Sequence, residues 1–253
     1  MAKRITAMTL LALMFWSTAT AHGEEALVAV AANYAGAFDA IAKSFSEKTG
    51  HTIVRSTGST GKLYAQISQG APFDVLLAGD SKTPERLGME GYAIAGSRFT
   101  YAFGKLALWS KQHATIGQDP RAALTAGSTL KLAIANPELA PYGVAARETL
   151  QTMGLWELLQ PKLVMGENIG QTFAMVDTGG AQTGFVALSA LISPDRPAGG
   201  SHWTVPQEMY SPIRQDAILL LAGKDNPAAL AFLVFIKGEA ARKISASFGY
   251  DAK

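Results

Sequence analysis

The stretch Ser56-Thr57-Gly58-Ser59-Thr60-Gly61-Lys62 decides how the fold of this chain is interpreted. It follows an apolar run at 52–54 that is typical of a strand end, and it precedes residues 63–67, whose apolar spacing predicts a short helix. Glycines and hydroxyl residues at such a turn leave backbone N–H groups close to any bound molecule, and the helix N-terminus favours an anion there. The alternative is an ordinary capping turn with Thr60 as its N-cap, and this stretch alone leaves both interpretations open.

Strand-like and helix-like segments alternate on both sides of this stretch. Apolar runs at 26–31, 51–56 and 73–78 are typical of buried strands, and segments with helical spacing follow them at 35–48, 61–69 and 81–90. This β-α-β-α-β-α order is typical of a parallel sheet with helices on its faces. The predicted fold class is therefore α/β.

The same alternation starts again later in the chain. Strands are predicted at 99–103, 106–109, 130–135, 162–165, 184–188 and 216–221, and helices at 144–153, 155–160, 171–177, 228–237 and 239–248, with 228–237 strongly amphipathic. Residues 193–201 are rich in proline and glycine and are interpreted as a linker. We expect two similar lobes with a cleft between them: residues 22–104 with 212–253, and residues 105–211. The hinges are expected near 102–105 and 211–215.

The first 21 residues have the features of a secretory signal peptide. Lys3 and Arg4 give a basic start, residues 5–20 are largely apolar, and Ala19-Thr20-Ala21 is a small-x-small cleavage pattern. A membrane anchor is disfavoured because the apolar segment is short and interrupted by Ser and Thr, and no later segment is long and apolar enough to span a bilayer. We therefore expect cleavage after Ala21 and a soluble, exported protein.

The composition narrows the possible chemistry. The chain of 253 residues has no cysteine, which excludes thiol catalysis and thiolate metal sites and leaves the core to stabilise an exported protein. Loss of Lys3 and Arg4 lowers the 22 basic residues to 20, equal to the 20 acidic ones. A neutral chain argues against a nucleic-acid partner, which calls for a clustered basic face. Any anion must then be bound by local geometry rather than by net charge.

Four turns share one design, in which a strand ends, small or polar residues follow and a helix begins. They are Ala32-Asn33, Ser59-Thr60-Gly61, Pro141-Tyr142-Gly143 and Asn168-Ile169-Gly170, two in each expected lobe. Open α/β sheets bind ligands beyond the carboxyl ends of their strands, where these turns lie. If all four face one cleft, backbone N–H groups and neutral side chains can hold a small oxyanion there, without lysine or arginine as a counter-ion.

Several blocks along nearly the whole mature chain carry a resemblance to a known family. They are residues 31–34, 58–61, 70–75, 95–101, 133–137, 140–143, 184–188 and 201–203. These blocks resemble the periplasmic molybdate-binding proteins of ABC importers. The resemblance implies a two-lobed type II periplasmic-binding-protein fold, each lobe a mainly parallel sheet flanked by helices, that closes on molybdate or tungstate. It further implies a monomeric periplasmic protein that delivers its ligand to an ABC transporter permease, without enzymatic activity, cofactor or a metal bound as a bare cation.

Carried over position by position, the resemblance places the oxyanion contacts at Ala32, Asn33, Thr60, Tyr142 and Ile169. Thr60 stands where family members more often have serine and keeps both hydroxyl and N–H, and Asn33 stands where one branch has serine and the other asparagine. Ala32 stands where close relatives have threonine, so only its backbone N–H is offered. Ala187 stands where another branch has a ligand tyrosine, and no contact is expected from it here.

Simpler structural roles are open to each of these residues. Asn33 can be a plain N-cap, Tyr142 a surface turn residue, and Ile169 only the apolar residue before a helix. Two other functions also stay open: the same fold binding another small oxyanion such as sulfate or phosphate, and an exported hydrolase on an α/β scaffold. Four such turns together with the resemblance favour the molybdate-binding protein.

Other motifs give weaker signals. Residues 58–62 resemble a phosphate loop only superficially, since Ser56 replaces its first glycine and Leu63 replaces its magnesium-binding hydroxyl residue, so no nucleotide site is expected. Lys62 is interpreted as a solvated lysine or a distant electrostatic helper. The histidines have no metal-ligand spacing and are interpreted as surface or structural residues: His22, His51, His113 and His202.

Overall fold

The structure, a computed structural model, describes residues 23–112, 116, 119–127, 131–194 and 197–251. The expected signal peptide and its cleavage site, residues 1–21, lie outside these ranges. In the described part, strands and helices alternate and form two five-stranded sheets. None of the helices in this part has the length and apolar character that crossing a membrane requires.

The described elements follow one another largely in the predicted order. The strands are β1 (Glu25–Ala31), β2 (Thr52–Gly58), β3 (Val75–Leu77), β4 (Phe99–Gly104), β5 (Leu106–Ser110), β6 (Leu132–Ala135), β7 (Leu163–Gly166), β8 (Thr183–Ala187), β9 (Ser201–Thr204) and β10 (Ile213–Leu219). The α-helices are α1 (Ala35–Thr49), α2 (Thr60–Ser68), α3 (Lys82–Met89), α4 (Pro120–Thr125), α5 (Pro141–Thr152), α6 (Trp156–Leu159), α7 (Ile169–Asp177), α8 (Leu188–Leu191), α9 (Pro227–Ile236) and α10 (Glu239–Ser247). A short 3-10 helix, Ala32–Tyr34, joins β1 to α1.

Each sheet combines a parallel part with antiparallel strands. The first sheet has the order β2-β1-β3-β10-β4, in which β1 runs parallel to β2 and β3, and β10 runs antiparallel to β3 and β4. The second has the order β7-β6-β8-β5-β9, in which β6 runs parallel to β7 and β8, and β5 runs antiparallel to β8 and β9. The prediction of a two-lobed α/β fold is confirmed. We call the lobe built on the first sheet the first lobe, and the other the second lobe.

Apolar side chains pack on both faces of each sheet. In β1, Val28 joins the cluster that contains Phe38 of α1, while its neighbour Ala29 joins the cluster on the other face. The second sheet is covered in the same way, with Leu108 in one cluster and Trp109 in the other. Because successive side chains of a strand point to opposite faces, burial on both faces requires nearly continuous apolar runs. Such runs are the pattern from which the sequence predicts these strands.

Two predicted segments differ in character from the structure. The interpretation of residues 193–201 as a linker misses the start of β9 at Ser201, a four-residue edge strand that is too short and polar to show a strand pattern. Helix α9 is not strongly amphipathic. Phe232 is buried, but Leu230 is 43% exposed and Val234 is 73% exposed, because apolar residues occupy every face of this helix.

The chain passes between the two sheets at two adjacent places. β4 ends at Gly104 and β5 begins at Leu106, and the return runs through residues 210–212 into β10, whose Ile213 pairs with Gly104. The Tyr142 ring of the second lobe reaches this point. A Cβ at position 104 would lie 2.2 Å from Tyr142 Oη and 2.7 Å from Gln215 Nε2. The first crossing therefore has room only for glycine.

The Gly104→Ala substitution is expected to lower the free energy of unfolding by about 1–3 kcal/mol, because the new methyl group meets buried Tyr142 and Gln215. Gly199→Ala is the matched control, since no atom lies within 4 Å of a Cβ built there. Urea unfolding of both variants measures the difference. Equal stabilities would contradict the close packing of this crossing.

Candidate functional site

A small cavity lies between the two lobes at the ends of several strands. It is lined by Ala31, Ala32, Asn33, Gly58, Ser59, Thr60, Ala140, Pro141, Tyr142, Asn168 and Ile169. It is much smaller than the pockets that hold drug-sized ligands, so it suits only a small ligand. All five residues expected to contact an oxyanion line this cavity, so the fold brings together the four turns that the sequence singles out.

The register of the strands explains why these turns meet. β1 and β2 pair in parallel so that Ala31 lies beside Gly58, and β6 and β7 pair so that Ala135 lies beside Gly166. The residues that follow each pair emerge at one edge of their sheet. The two edges face each other closely, because a Cβ on Gly170 of the second lobe would lie 3.7 Å from the Cβ of Ala32 in the first.

The first residues of three α-helices place backbone N–H groups at the cavity. Thr60 is the first residue of α2, Ile169 is the first residue of α7, and Tyr142 follows Pro141 at the start of α5. The first N–H groups of a helix have no acceptor within it, and the helix dipole adds partial positive charge there. Ala32 and Asn33 begin the 3-10 helix after β1. This arrangement favours a small anion.

The Thr60 side chain is held in place by a hydrogen bond that it accepts. Its Oγ1 accepts the N–H of Gly79 at 2.9 Å, and the residue is only 2% exposed. A hydroxyl that accepts one N–H still has its own hydrogen, so Thr60 can donate it into the cavity. The interpretation of Thr60 as the N-cap is wrong: Ser59 caps α2, its Oγ accepting the N–H of Lys62 at 3.4 Å.

The Asn33 side chain points to a buried network rather than capping a helix. Its Nδ2 donates to Gln215 Oε1 at 2.8 Å and to Tyr250 Oη at 3.2 Å, and no side-chain cap begins either the 3-10 helix or α1. The N-cap interpretation of Asn33 is therefore wrong. Both Nδ2 hydrogens are used in this network, so Asn33 offers the cavity its backbone N–H.

Gly79 lies against both of these side chains. A Cβ at this position would lie 3.2 Å from Thr60 Oγ1 and 3.3 Å from Asn33 Oδ1. Sequence reasoning missed Gly79, Gln215 and Tyr250, because none of them belongs to one of the four turns. They come from segments 19 to 217 residues distant from the residues they contact, and no local pattern signals such contacts.

Tyr142 and Ile169 are both buried at the cavity. Tyr142 is 2% and Ile169 is 5% exposed, and both belong to the core of the second lobe. The interpretation of Tyr142 as a surface turn residue is therefore wrong. Its hydroxyl lies near the amides of Asn33 and Gln215 without a well-formed hydrogen bond, and burial raises the pKa of this hydroxyl well above its usual range. Tyr142 thus stays neutral.

No lysine or arginine is among the residues that line the cavity. The nearest cation along the chain, Lys62, forms an ion pair at 3.1 Å with Glu167 of the second lobe, at a place where the two side chains are 51% and 35% exposed. The sequence predicts a solvated lysine, and its partner could not be identified from a position 105 residues away. The cavity itself is lined by neutral groups.

A larger cavity shares Ala32 and Asn33 with the small one. It is open to solvent and extends beside Trp109, Lys111, Phe173 and Asp177. Its polar groups already have partners: Trp109 Nε1 donates to the carbonyl of Gly199 at 2.9 Å, and Lys111 pairs with Asp177 at 3.0 Å. Its size does not make it the candidate site, because these polar side chains already have partners within the protein.

The described residues include no group of three or more His, Asp or Glu side chains that could hold a metal ion. His51 has a structural role, since its Nδ1 accepts the N–H of Glu24 at 3.0 Å, and His202 lies in the edge strand β9. His22 and His113 lie outside the described residues.

Comparison with known proteins gives a consistent set of relatives. A family model described as bacterial extracellular solute-binding protein matches residues 26–251. The chain is 48% identical to the molybdate-binding protein ModA of Azotobacter vinelandii over 91% of each chain. It is 45% identical to the molybdate-binding protein ModA of Rhodobacter capsulatus, over 96% of this chain and 94% of the relative.

A solved structure shows the same architecture. The periplasmic molybdate-binding protein of Azotobacter vinelandii superposes with a TM-score of 0.86 and 37% sequence identity, covering 90% of this chain and 99% of that one. The two-lobed fold is therefore shared over essentially the whole length of both chains.

The role of the Thr60 hydroxyl as acceptor for Gly79 can be tested without any ligand. Thr60→Val keeps the shape but leaves the buried Gly79 N–H without an acceptor, so we expect a loss of about 1–3 kcal/mol in unfolding free energy. Thr60→Ser keeps the oxygen and is expected to lose less. Urea unfolding compares the two variants. If the Val variant were as stable as the Ser variant, the hydrogen bond from Gly79 would make no contribution to the free energy of unfolding.

Proposed function

The chain belongs to the family of bacterial extracellular solute-binding proteins, and we propose that it captures molybdate, or tungstate, and delivers it to the permease of an ABC transporter. One observation supports this most: the starts of helices from both lobes line one small cavity without a lysine or arginine. The identity of the chain to molybdate-binding relatives over nearly their full length supports the choice of ligand.

The donors come from five residues of the two lobes. Backbone N–H groups of Ala32, Asn33 and Thr60 bind from the first lobe, those of Tyr142 and Ile169 bind from the second, and the Thr60 hydroxyl adds a further hydrogen. A dianion held by neutral donors is stabilised by hydrogen bonds to a charged group, which are worth about 1.5–3 kcal/mol each. An anion of the wrong size leaves some buried donors unpaired, at about 1–3 kcal/mol each, and selectivity follows from this difference.

Binding is coupled to closure of the cleft. The lobes are residues 22–104 with 212–253, and residues 105–211, and the hinges lie near 102–105 and 211–215, where the chain passes between the sheets. Because each lobe supplies only part of the donor set, an anion makes its full set of contacts only in the closed form and shifts the population toward it. The cross-lobe hydrogen bond from Gly61 N–H to the Leu139 carbonyl, at 3.0 Å, supports a tight closed form.

The remaining features of the proposal follow from this role. The protein acts in the periplasm after removal of residues 1–21, as a monomer, and needs no cofactor. It binds and releases its ligand unchanged, so it is not an enzyme. Molybdenum is bound only as the molybdate oxyanion, not as a bare cation. The relatives that carry this assignment are solute-binding transport proteins, and the matched structure is of a periplasmic protein.

Calorimetric titration of the mature chain with molybdate, tungstate, sulfate and phosphate tests the proposal. We expect molybdate and tungstate to bind at least tenfold more tightly than sulfate and phosphate, a difference of about 1.4 kcal/mol or more. Equal affinity for sulfate would identify a general oxyanion-binding protein instead, and an absence of heat with molybdate would overturn the assignment. Turnover of chromogenic ester or phosphate substrates, lost on mutating a cleft serine, would favour a hydrolase.

A further inference from the structure

The carbonyl oxygen of Asn33 lies in a buried junction of hydroxyl groups behind the cavity. Tyr250 Oη donates to it at 2.6 Å and Ser189 Oγ donates to it at 3.1 Å, and the two hydroxyl oxygens are 2.9 Å apart. Asn33 Nδ2 donates in turn to Tyr250 Oη at 3.2 Å. Ser189 is 8% and Tyr250 is 3% exposed, so both residues are buried, and Ser189 borders the larger, solvent-open cavity.

The three residues of the junction come from both lobes. Asn33 follows β1, and Tyr250 belongs to the C-terminal segment, where its ring packs edge-on against Tyr34 at 5.0 Å and Asp251 pairs with Phe103 of β4. Ser189 lies in α8, which directly follows β8 of the second sheet. The contact from Ser189 to Asn33 therefore crosses the cleft, although Ser189 does not line the small cavity.

We infer that Ser189 and Tyr250 are positioning residues for anion binding: together they fix the Asn33 peptide beside the cavity, and Ser189 does so only when the lobes are closed. This inference rests on the proposed function. Tyr250 reaches Asn33 within the first lobe, so its bonds persist in both forms. The bond from Ser189 exists only across a closed cleft and adds to the free-energy difference between open and closed forms.

Both backbone polar groups of Asn33 and its Nδ2 belong to this arrangement. Its backbone N–H lies at the cavity, its carbonyl receives the two hydroxyls, and its Nδ2 also donates to Gln215 Oε1 on β10, beside the second crossing between the lobes. Burial raises the pKa of Tyr250 to about 12, so its hydroxyl keeps its proton at neutral pH. Asn33, a proposed ligand contact, is thus linked to Ser189 of the second lobe and to Gln215 of β10.

The cross-lobe pair of Lys62 and Glu167 does not provide an equivalent connection. Its side chains are 51% and 35% exposed, and an exposed ion pair contributes little because solvent and salt screen it. The hydroxyl junction is buried, where an unmade hydrogen bond leaves a polar group without a partner. Loss of the Ser189 hydroxyl should therefore weaken closure more than loss of the ion pair does.

The test compares Ser189→Ala and Tyr250→Phe with two matched controls in the mature chain. Ser247→Ala removes an exposed serine hydroxyl that bonds only within its own helix, and Tyr64→Phe removes a tyrosine hydroxyl that bonds to exposed Glu90. Calorimetry gives the dissociation constants for molybdate and tungstate, and thermal unfolding is followed with and without molybdate. Small-angle scattering reports how far each variant closes on molybdate.

For Ser189→Ala we expect affinity for molybdate to fall about 3- to 10-fold, the range of one hydrogen bond. The ratio of molybdate to tungstate affinity should stay unchanged, because Ser189 does not touch the ligand, and the unfolding temperature without ligand should equal that of the wild type. The losses from Ser189→Ala and Tyr250→Phe should not add in the double variant, because the two hydroxyls share one acceptor and lie 2.9 Å apart. The control variants should bind as the wild type does.

Two results would overturn this inference and leave the proposed function intact. One is wild-type affinity in Ser189→Ala, and the other is an equal loss of unfolding temperature with and without molybdate, which would show a merely structural role. Ser189→Ala decides the question even if Tyr250→Phe fails to fold. If the wild-type chain gave no heat and no thermal shift with molybdate, the proposed function would fail, and the inference would fail with it.

Discussion

The helix amides without internal acceptors are the constraint on which the structure of this site depends. Each helix start leaves N–H groups that the helix cannot satisfy, and burying them without partners costs free energy. In this chain, helix starts from both lobes border one small cavity. In the proposed function, a small anion accepts hydrogen bonds from both sides at once, and this favours closure of the lobes.

The surroundings of the cavity keep these donors in place. Ser59 caps α2 so that Thr60 can turn its hydroxyl inward, and the Gly79 N–H occupies the acceptor side of that hydroxyl. Asn33 is held by Gln215 and Tyr250 through its side chain. Rigid donors of this kind cannot adjust to an anion of another size, and that rigidity is the physical source of selectivity in the proposed function.

The fold class and the four turns could be predicted from the sequence, because the patterns that indicate them are local. The apolar runs of β1, β2, β6 and β7 and the small residues after them are contiguous patterns, so they predict both the α/β fold and the four turns. Whether Ser59 or Thr60 is the N-cap depends on which of two neighbouring residues begins α2, and the sequence does not determine this. The partners of the site residues are a different matter. Gly79, Gln215, Ser189 and Tyr250 contact Thr60 or Asn33 only through tertiary packing, and no short-range pattern connects them to these residues.

The most direct test is a crystal structure of the mature chain grown with molybdate. We expect tetrahedral density in the small cavity, within hydrogen-bond distance of the Thr60 hydroxyl and of backbone N–H groups from both lobes, with the lobes closed around it. Density contacted by a lysine or arginine side chain, or by one lobe alone with the other lobe's helix starts turned away, would contradict it.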